Sequence, residues 1–93
     1  MPVYRELAFD DDNLAELDRH NISPDDVLAV LYGQPKFFAN KKGRSGTRLM
    51  IGPDRSGRLL AVPIVETPVR GVWRPITAWP ANEAQETRWR QAK

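Results

Sequence analysis

The stretch "TRLMIGPDRSGRLLAVPIVE", residues 47–66, decides how this chain folds. Two apolar runs, 47–52 and 58–66, flank "PDRSG" at 53–57, whose Pro, Asp, Ser and Gly suit a tight turn. A run, a turn and a returning run read as an antiparallel hairpin. Pro63 has no N–H for a ladder, so the returning strand is expected to bulge or to lie on an edge there.

Strand texture continues on both sides of the hairpin. "KFFAN" (36–40) reads as a strand before it, and "KKGRSG" (41–46) as a basic, glycine-bearing loop between. After the turn "TPVRG", "VWRPITAW" (72–79) reads as a last strand interrupted by Pro75 and ended by Pro80. "ANEAQETRWRQAK" then suits a closing helix, with Asn82 as cap, Glu83 and Glu86 early, and Arg88, Arg90 and Lys93 late.

The N-terminal third has a different period. "VYRELAF" (3–9) alternates loosely and predicts a short strand. Residues 11–20 predict a helix, with aspartates at its start and Leu14 and Leu17 on one face. "ISPDDVLAVLYG" (22–33) predicts a second helix. Ser23 caps it, Pro24 opens it, Asp25 and Asp26 fill its first turn, and Gly33 stops it. The expected fold is therefore a single α+β domain over 1–93. It has a small antiparallel sheet of three to five strands, with all three helices on one face and the other face open.

Composition narrows the function. An apolar share of 41% with 28% charged residues is that of a globular chain, and no apolar run approaches the roughly 20 residues of a membrane span. Asp10–Asp12 occupy the place of a signal-peptide core, so none is expected. With no cysteine, disulfides and thiolate metal sites are excluded and a cytoplasmic location is expected. The single His20 excludes a histidine metal cluster, and a carboxylate-only site stays open. No cofactor is expected. Residues 1–32 carry eight acidic and two basic side chains, and residues 33–93 four acidic and twelve basic ones. That polarity suits a polyanion or acidic partner for the basic part, or two halves that attract each other once folded.

All three tryptophans and three arginines fall within "WRPITAWPANEAQETRWR" (73–90). Strict alternation over 72–79 would put Trp73 and Trp79 on one face and Arg74 on the other. Aromatic rings on an open sheet face stack unpaired bases. The alternative is that the tryptophans bury against the helices.

The chain also resembles the BrnT toxins, within the RelE-like ribonuclease toxins of bacterial toxin–antitoxin pairs. The resemblance lies in "FDDDNLAELDRHNISPDDVLAVLYG" (9–33), in "RLMIG" (48–52) with "GRLLAV" (57–62), and in "WRPITAWPANEAQE" (73–86). It implies a compact α+β ribonuclease that cleaves RNA without metal. It also implies a DNA-binding antitoxin as partner, in a toxin–antitoxin hetero-oligomer, with a homodimer as the other assembly. Three positions depart from the family pattern: Asp10, Asn21 where a glycine follows the histidine, and Trp79 where an arginine is usual.

Metal-free cleavage needs a base for the 2′-hydroxyl, an acid for the leaving oxygen and cations around the phosphate. Arg48 and Arg74 are the catalytic cation candidates, Glu66 and His20 the candidate bases, and Tyr4 and Tyr32 further acids. Lys41, Lys42, Arg44, Arg58 and Trp79 are candidates for holding RNA. Each has an ordinary alternative. His20 suits a helix C-terminus, Arg48 and Arg58 can pair with Glu66 across strands, and "KKGRSG" can be a solvated loop. A non-catalytic nucleic-acid- or protein-binding module on the same scaffold is the second reading.

Overall fold

A computed structural model describes residues 2–39 and 47–92. Its three main helices begin alike. At each N-terminus a side chain accepts from the third helical N–H, and that third residue's side chain accepts from the cap's own N–H. The pairs are Asp10 with Asn13, Ser23 with Asp26, and Asn82 with Gln85. Each reciprocal pair satisfies two backbone donors that a helix end otherwise leaves open. They set α1 at Asp11–Arg19, α2 at Pro24–Tyr32 and α3 at Glu83–Gln91. Asn21, between α1 and α2, takes φ 56°, a left-handed conformation that asparagine visits more readily than most side-chain-bearing residues.

The strands are β1 (Glu6–Leu7), β2 (Lys36–Ala39), β3 (Thr47–Pro53), β4 (Leu59–Glu66), β5 (Val72–Pro75) and β6 (Trp79–Pro80). They form one sheet in the order β1-β5-β4-β3-β2, with β6 also on β4. The predicted hairpin is its centre, β3 and β4 pairing from Thr47↔Val65 to Pro53↔Leu59. The α+β class holds, and two details of the expectation are corrected. Among the described residues the sheet has six strands, and it is mixed, because β1 runs parallel to β5.

The core lies on one face. Leu17, Ile22, Val27, Val30 and Leu31 from α1, α2 and their junction meet Met50, Leu60, Val62, Ile64, Trp73 and Ala78 of the sheet segments. In α1 the buried positions are Asn13 and Leu17, one turn apart, whereas Leu14 is exposed. Even-numbered positions of β3 and β4 face this core, so odd-numbered ones face the other way.

α3 lies on that other face, against the expectation that all helices share one side. Lys36 donates from Nζ to the carbonyls of Trp89 (2.7 Å) and Ala92, Arg88 stacks over Phe38 at 4.4 Å, and Trp79 donates to Gln85 at 3.2 Å. Beneath it Ile51 and Ala61 are fully buried. α3 itself buries no residue completely, so polar and cation–ring contacts hold it more than apolar area does.

The far end of the hairpin is tied by Asp54. Its buried carboxylate accepts from Ser56 N (2.9 Å), Ser56 Oγ (2.8 Å), Arg58 N (3.0 Å) and Arg58 Nε (3.1 Å). Burial alone would raise its pKa, but these hydrogen bonds outweigh burial and hold the carboxyl below its ordinary value. A depressed folded pKa stabilises the fold above the unfolded value near 4 and loses that contribution as pH falls through the folded value. Asp54→Ala is expected to cost roughly 2–3 kcal/mol at pH 7, because two turn amides lose their acceptor. The difference from wild type should shrink at pH 3 or below, and urea titrations at pH 7 and pH 3 measure it. A variant within 0.5 kcal/mol of wild type at pH 7 would refute the assignment (about the spread of ordinary surface substitutions).

Candidate functional site

Pairing of β3 and β4 sets Arg48 opposite Ile64, and Glu66 lies two residues further on the same face. Such diagonal neighbours are roughly 7–8 Å apart, within reach of long side chains. Glu66 in turn lies opposite Trp73 of β5. Two of the predicted site residues, Arg48 and Glu66, thus come together at one end of the sheet.

Tyr4 completes the group. Its ring stacks on Phe37 at 3.5 Å and 7°, and on Trp73 at 4.9 Å and 29°. Trp73 donates from its indole to the Val3 carbonyl at 2.8 Å, which ties the N-terminal segment to β5. Burial pushes the Tyr4 phenol above its ordinary value near 10. The charge and hydrogen bond of Arg48 pull it down, and the charge of Glu66 pushes it up. The phenol therefore stays protonated at neutral pH and can give a proton. Arg48 is half-buried and anchored by donation to the Thr47 carbonyl at 2.8 Å. Glu66 is exposed and forms no ion pair among the described residues, so its carboxylate is free to accept.

A cleft of about 440 Å³ adjoins this group, lined by Val3, Glu66, Val69, Arg70, Gly71 and Trp73 among others. Its size is that of a small-ligand site.

The remaining candidates lie elsewhere. Arg74 is locked to Asp10, the cap of α1, through Nε at 2.6 Å and Nη2 at 3.1 Å. That pair raises the Arg74 pKa and lowers the Asp10 pKa, the hydrogen bond between them being the largest cause in each. Arg74 thus braces α1 and is not brought to Arg48 and Glu66. Arg58 is bound to Asp54 and faces Asp26 at 3.8 Å, beyond the opposite end of β4 from Glu66. Glu66 lies eight positions along the strand from Arg58, roughly 26 Å, so Arg58 does not join the site. His20 is an exposed cap of α1 with no side-chain hydrogen bond among the described residues. Tyr32, 69% exposed at the end of α2, touches none of the group. Lys41, Lys42 and Arg44 lie outside the described residues.

Trp79 corrects the alternation argument. Between the pairs Ile64↔Pro75 and Ala61↔Trp79, β4 advances three residues and the last strand four. This one-residue bulge sits beside Pro63, whose carbonyl accepts from Ile76 N at 2.9 Å. It reverses the faces. Trp73 and Pro75 turn to the core, while Trp79 joins the face of Arg74 and lies beside α3. There it lines a second groove of about 320 Å³ with Leu49, Pro63, Ala84, Gln85 and Arg88. The two tryptophans do not form one platform.

Phe37 was not singled out as a site residue in the sequence. Adjacent Phe37 and Phe38 must point to opposite faces, but nothing local says which of them meets Tyr4.

Among the described residues, no three His, Cys, Asp or Glu side chains gather to hold a metal ion, and no helix is long and apolar enough to cross a membrane. No family model and no curated protein matches this chain.

Proposed function

We propose that this chain is the toxin-like member of a bacterial toxin–antitoxin pair, of the BrnT and RelE-like kind, and a metal-independent endoribonuclease of the cytoplasm. The observation that carries the reading is the meeting of a free carboxylate, a protonated phenol and an anchored arginine in Glu66, Tyr4 and Arg48. Glu66 takes the 2′-hydroxyl proton. The 2′ oxygen then attacks phosphorus, and the bond to the 5′ oxygen breaks. Tyr4 gives its proton to that departing oxygen, and Arg48 balances the charge that gathers on the phosphoryl oxygens. The products are a 2′,3′-cyclic phosphate and a 5′-hydroxyl. Lys41, Lys42 and Arg44 add phosphate-binding charge, and a small DNA-binding antitoxin neutralises the protein.

One observation favours the second reading, a binding module without cleavage. Trp79 takes the place of a family cation, and the nearest arginine on that strand, Arg74, is committed to Asp10. The test is production of the chain alone in bacteria, followed by incubation of purified protein with single-stranded RNA in excess chelator. Growth arrest with chelator-insensitive cleavage supports the ribonuclease. Unhindered growth with soluble protein and intact RNA supports the module.

A further inference from the structure

Most described arginines are already spent. Arg19, Arg58, Arg74 and Arg90 each hold a carboxylate, and Arg88 lies on Phe38. Arg5, Arg55 and Arg70 are different. All three are exposed, and none has a side-chain hydrogen bond or ion pair among the described residues. Of these, Arg5 and Arg70 lie at the same turn. The stem of Arg5 lies against Gly71, so closely that a methyl group there would come within 3.1 Å of Arg5 Cδ. Gly71 takes φ +86°, which a side chain would strain, and it closes the turn that carries Arg70 to the 440 Å³ cleft.

The cleft's inner polar groups are satisfied from within. The Trp73 indole is occupied by the Val3 carbonyl, and the Thr67 hydroxyl donates to the Val72 carbonyl at 2.7 Å. Two charged groups of its lining remain open, the carboxylate of Glu66 and the guanidinium of Arg70. Between them run the apolar surfaces of Val69, Val72 and Trp73. A ligand that suits this lining has a flat, largely apolar body, a hydroxyl for the carboxylate and an anion for the arginine. A nucleotide has all three. A paired base is shut in its duplex, so the nucleotide must come from an unpaired strand.

We infer that the cleft receives the nucleoside on the 5′ side of the cleaved bond in single-stranded RNA, with Arg70 and Arg5 holding the phosphate that precedes it. The inference rests on the ribonuclease reading for the role of Glu66, which then faces that nucleoside's own 2′-hydroxyl. Binding to the cleft does not itself require cleavage.

The test uses a fluorescent single-stranded oligonucleotide with 2′-fluoro riboses, which lacks the attacking hydroxyl. Anisotropy is followed across a salt series. Wild type should bind, and Arg70→Ala should weaken binding about tenfold, the effect of a charged hydrogen bond. It should also flatten the slope of log K against log salt by about 0.7, the release expected for one phosphate contact on a single strand. Arg70→Lys should keep the slope but lose part of the affinity, because a point charge lacks the guanidinium fork. Arg55→Ala changes the net charge equally at the opposite end of the sheet and should leave binding unchanged. No binding by wild type, no effect of Arg70→Ala, or an equal loss in Arg55→Ala overturns the inference. Parallel digestion of 2′-hydroxyl RNA keeps the two readings apart. Cleavage that ignores Arg70 sinks the cleft assignment alone. Arg70-dependent binding without cleavage sinks the ribonuclease, and with it the role of Glu66, but leaves the cleft as the site of an unpaired nucleotide.

Discussion

An Asn13→Ala protein is expected to melt roughly 15 °C or more below wild type. Asn13 is fully buried, and it works in two directions. Its Oδ1 accepts from Asp10 N at 2.8 Å, which closes the cap of α1. Its Nδ2 donates to the carbonyls of Ala8 and Pro75, each at 3.0 Å. One amide thus joins the helix, the end of β1 and the end of β5, and these are the segments that position Tyr4 and Trp73. Alanine leaves one donor and two acceptors without this partner, the Pro75 carbonyl in a buried place and the other two in partly buried ones. At about 1–3 kcal/mol for each buried orphan, the loss is roughly 3–5 kcal/mol. For a domain of this size each kcal/mol moves Tm by about 4–8 °C. Asn13→Asp separates hydrogen bonding from volume. At pH 7 it turns a carboxylate oxygen toward two carbonyls and should be worse than alanine. Protonation at low pH restores an O–H donor, so its deficit relative to alanine should narrow as pH falls. Thermal melts at pH 7 and pH 4 measure both. An alanine variant melting within 5 °C of wild type would show that the Asn13 amide does not tie these segments together.

Local chemistry made the helices legible. Ser23-Pro24 and the aspartates mark α2 to the residue, because a cap is decided by neighbours three positions away. The hairpin was legible for the same reason, its turn residues lying between the runs they join. What failed was whatever depends on partners far along the chain. The 72–80 strand reads as one alternating run, yet one extra residue at 76–78 sends Trp73 and Trp79 to opposite faces. Both prolines marked an irregularity there, Pro63 on one strand and Pro75 on the other, but neither gave its direction. The face that α3 covers is set by Lys36, more than fifty residues earlier, reaching its last carbonyls. The role of Arg74 depends on Asp10, 64 positions away. In the candidate site, the nearness of Arg48 to Glu66 followed from hairpin register alone. The entry of Tyr4 required the link from Val3 to Trp73, 70 positions apart, which no periodicity announces.

If the ribonuclease reading holds, Arg48→Ala is expected to lower RNA cleavage by roughly 10²–10³-fold while leaving the melting temperature nearly unchanged. The rate estimate is that for loss of one preorganised donor to a developing oxyanion. The stability estimate follows from position. Arg48 is half-buried near the sheet end, holds no carboxylate among the described residues, and its side chain is engaged only by its neighbour's carbonyl and the Tyr4 phenol. Glu66→Gln keeps shape and removes the base, with an expected loss of about 10²–10⁴-fold. Tyr4→Phe supplies the signature that a merely structural role would lack. The phenol must be protonated to serve the leaving oxygen, and burial raises its pKa above the ordinary value near 10. Wild-type cleavage should therefore persist through pH 9 and fall only as pH rises through that higher value. Tyr4→Phe keeps the ring that stacks on Phe37 and Trp73, so the fold should stand. It should cleave slowly at every pH and lack the alkaline fall. A Tyr4→Phe rate and pH profile matching wild type would remove Tyr4 as the acid. Arg48→Ala and Glu66→Gln proteins as active as wild type would remove the sheet-end group as the catalytic centre. The cationic side chains of Lys41, Lys42 and Arg44 would then be left to explain any cleavage that remained.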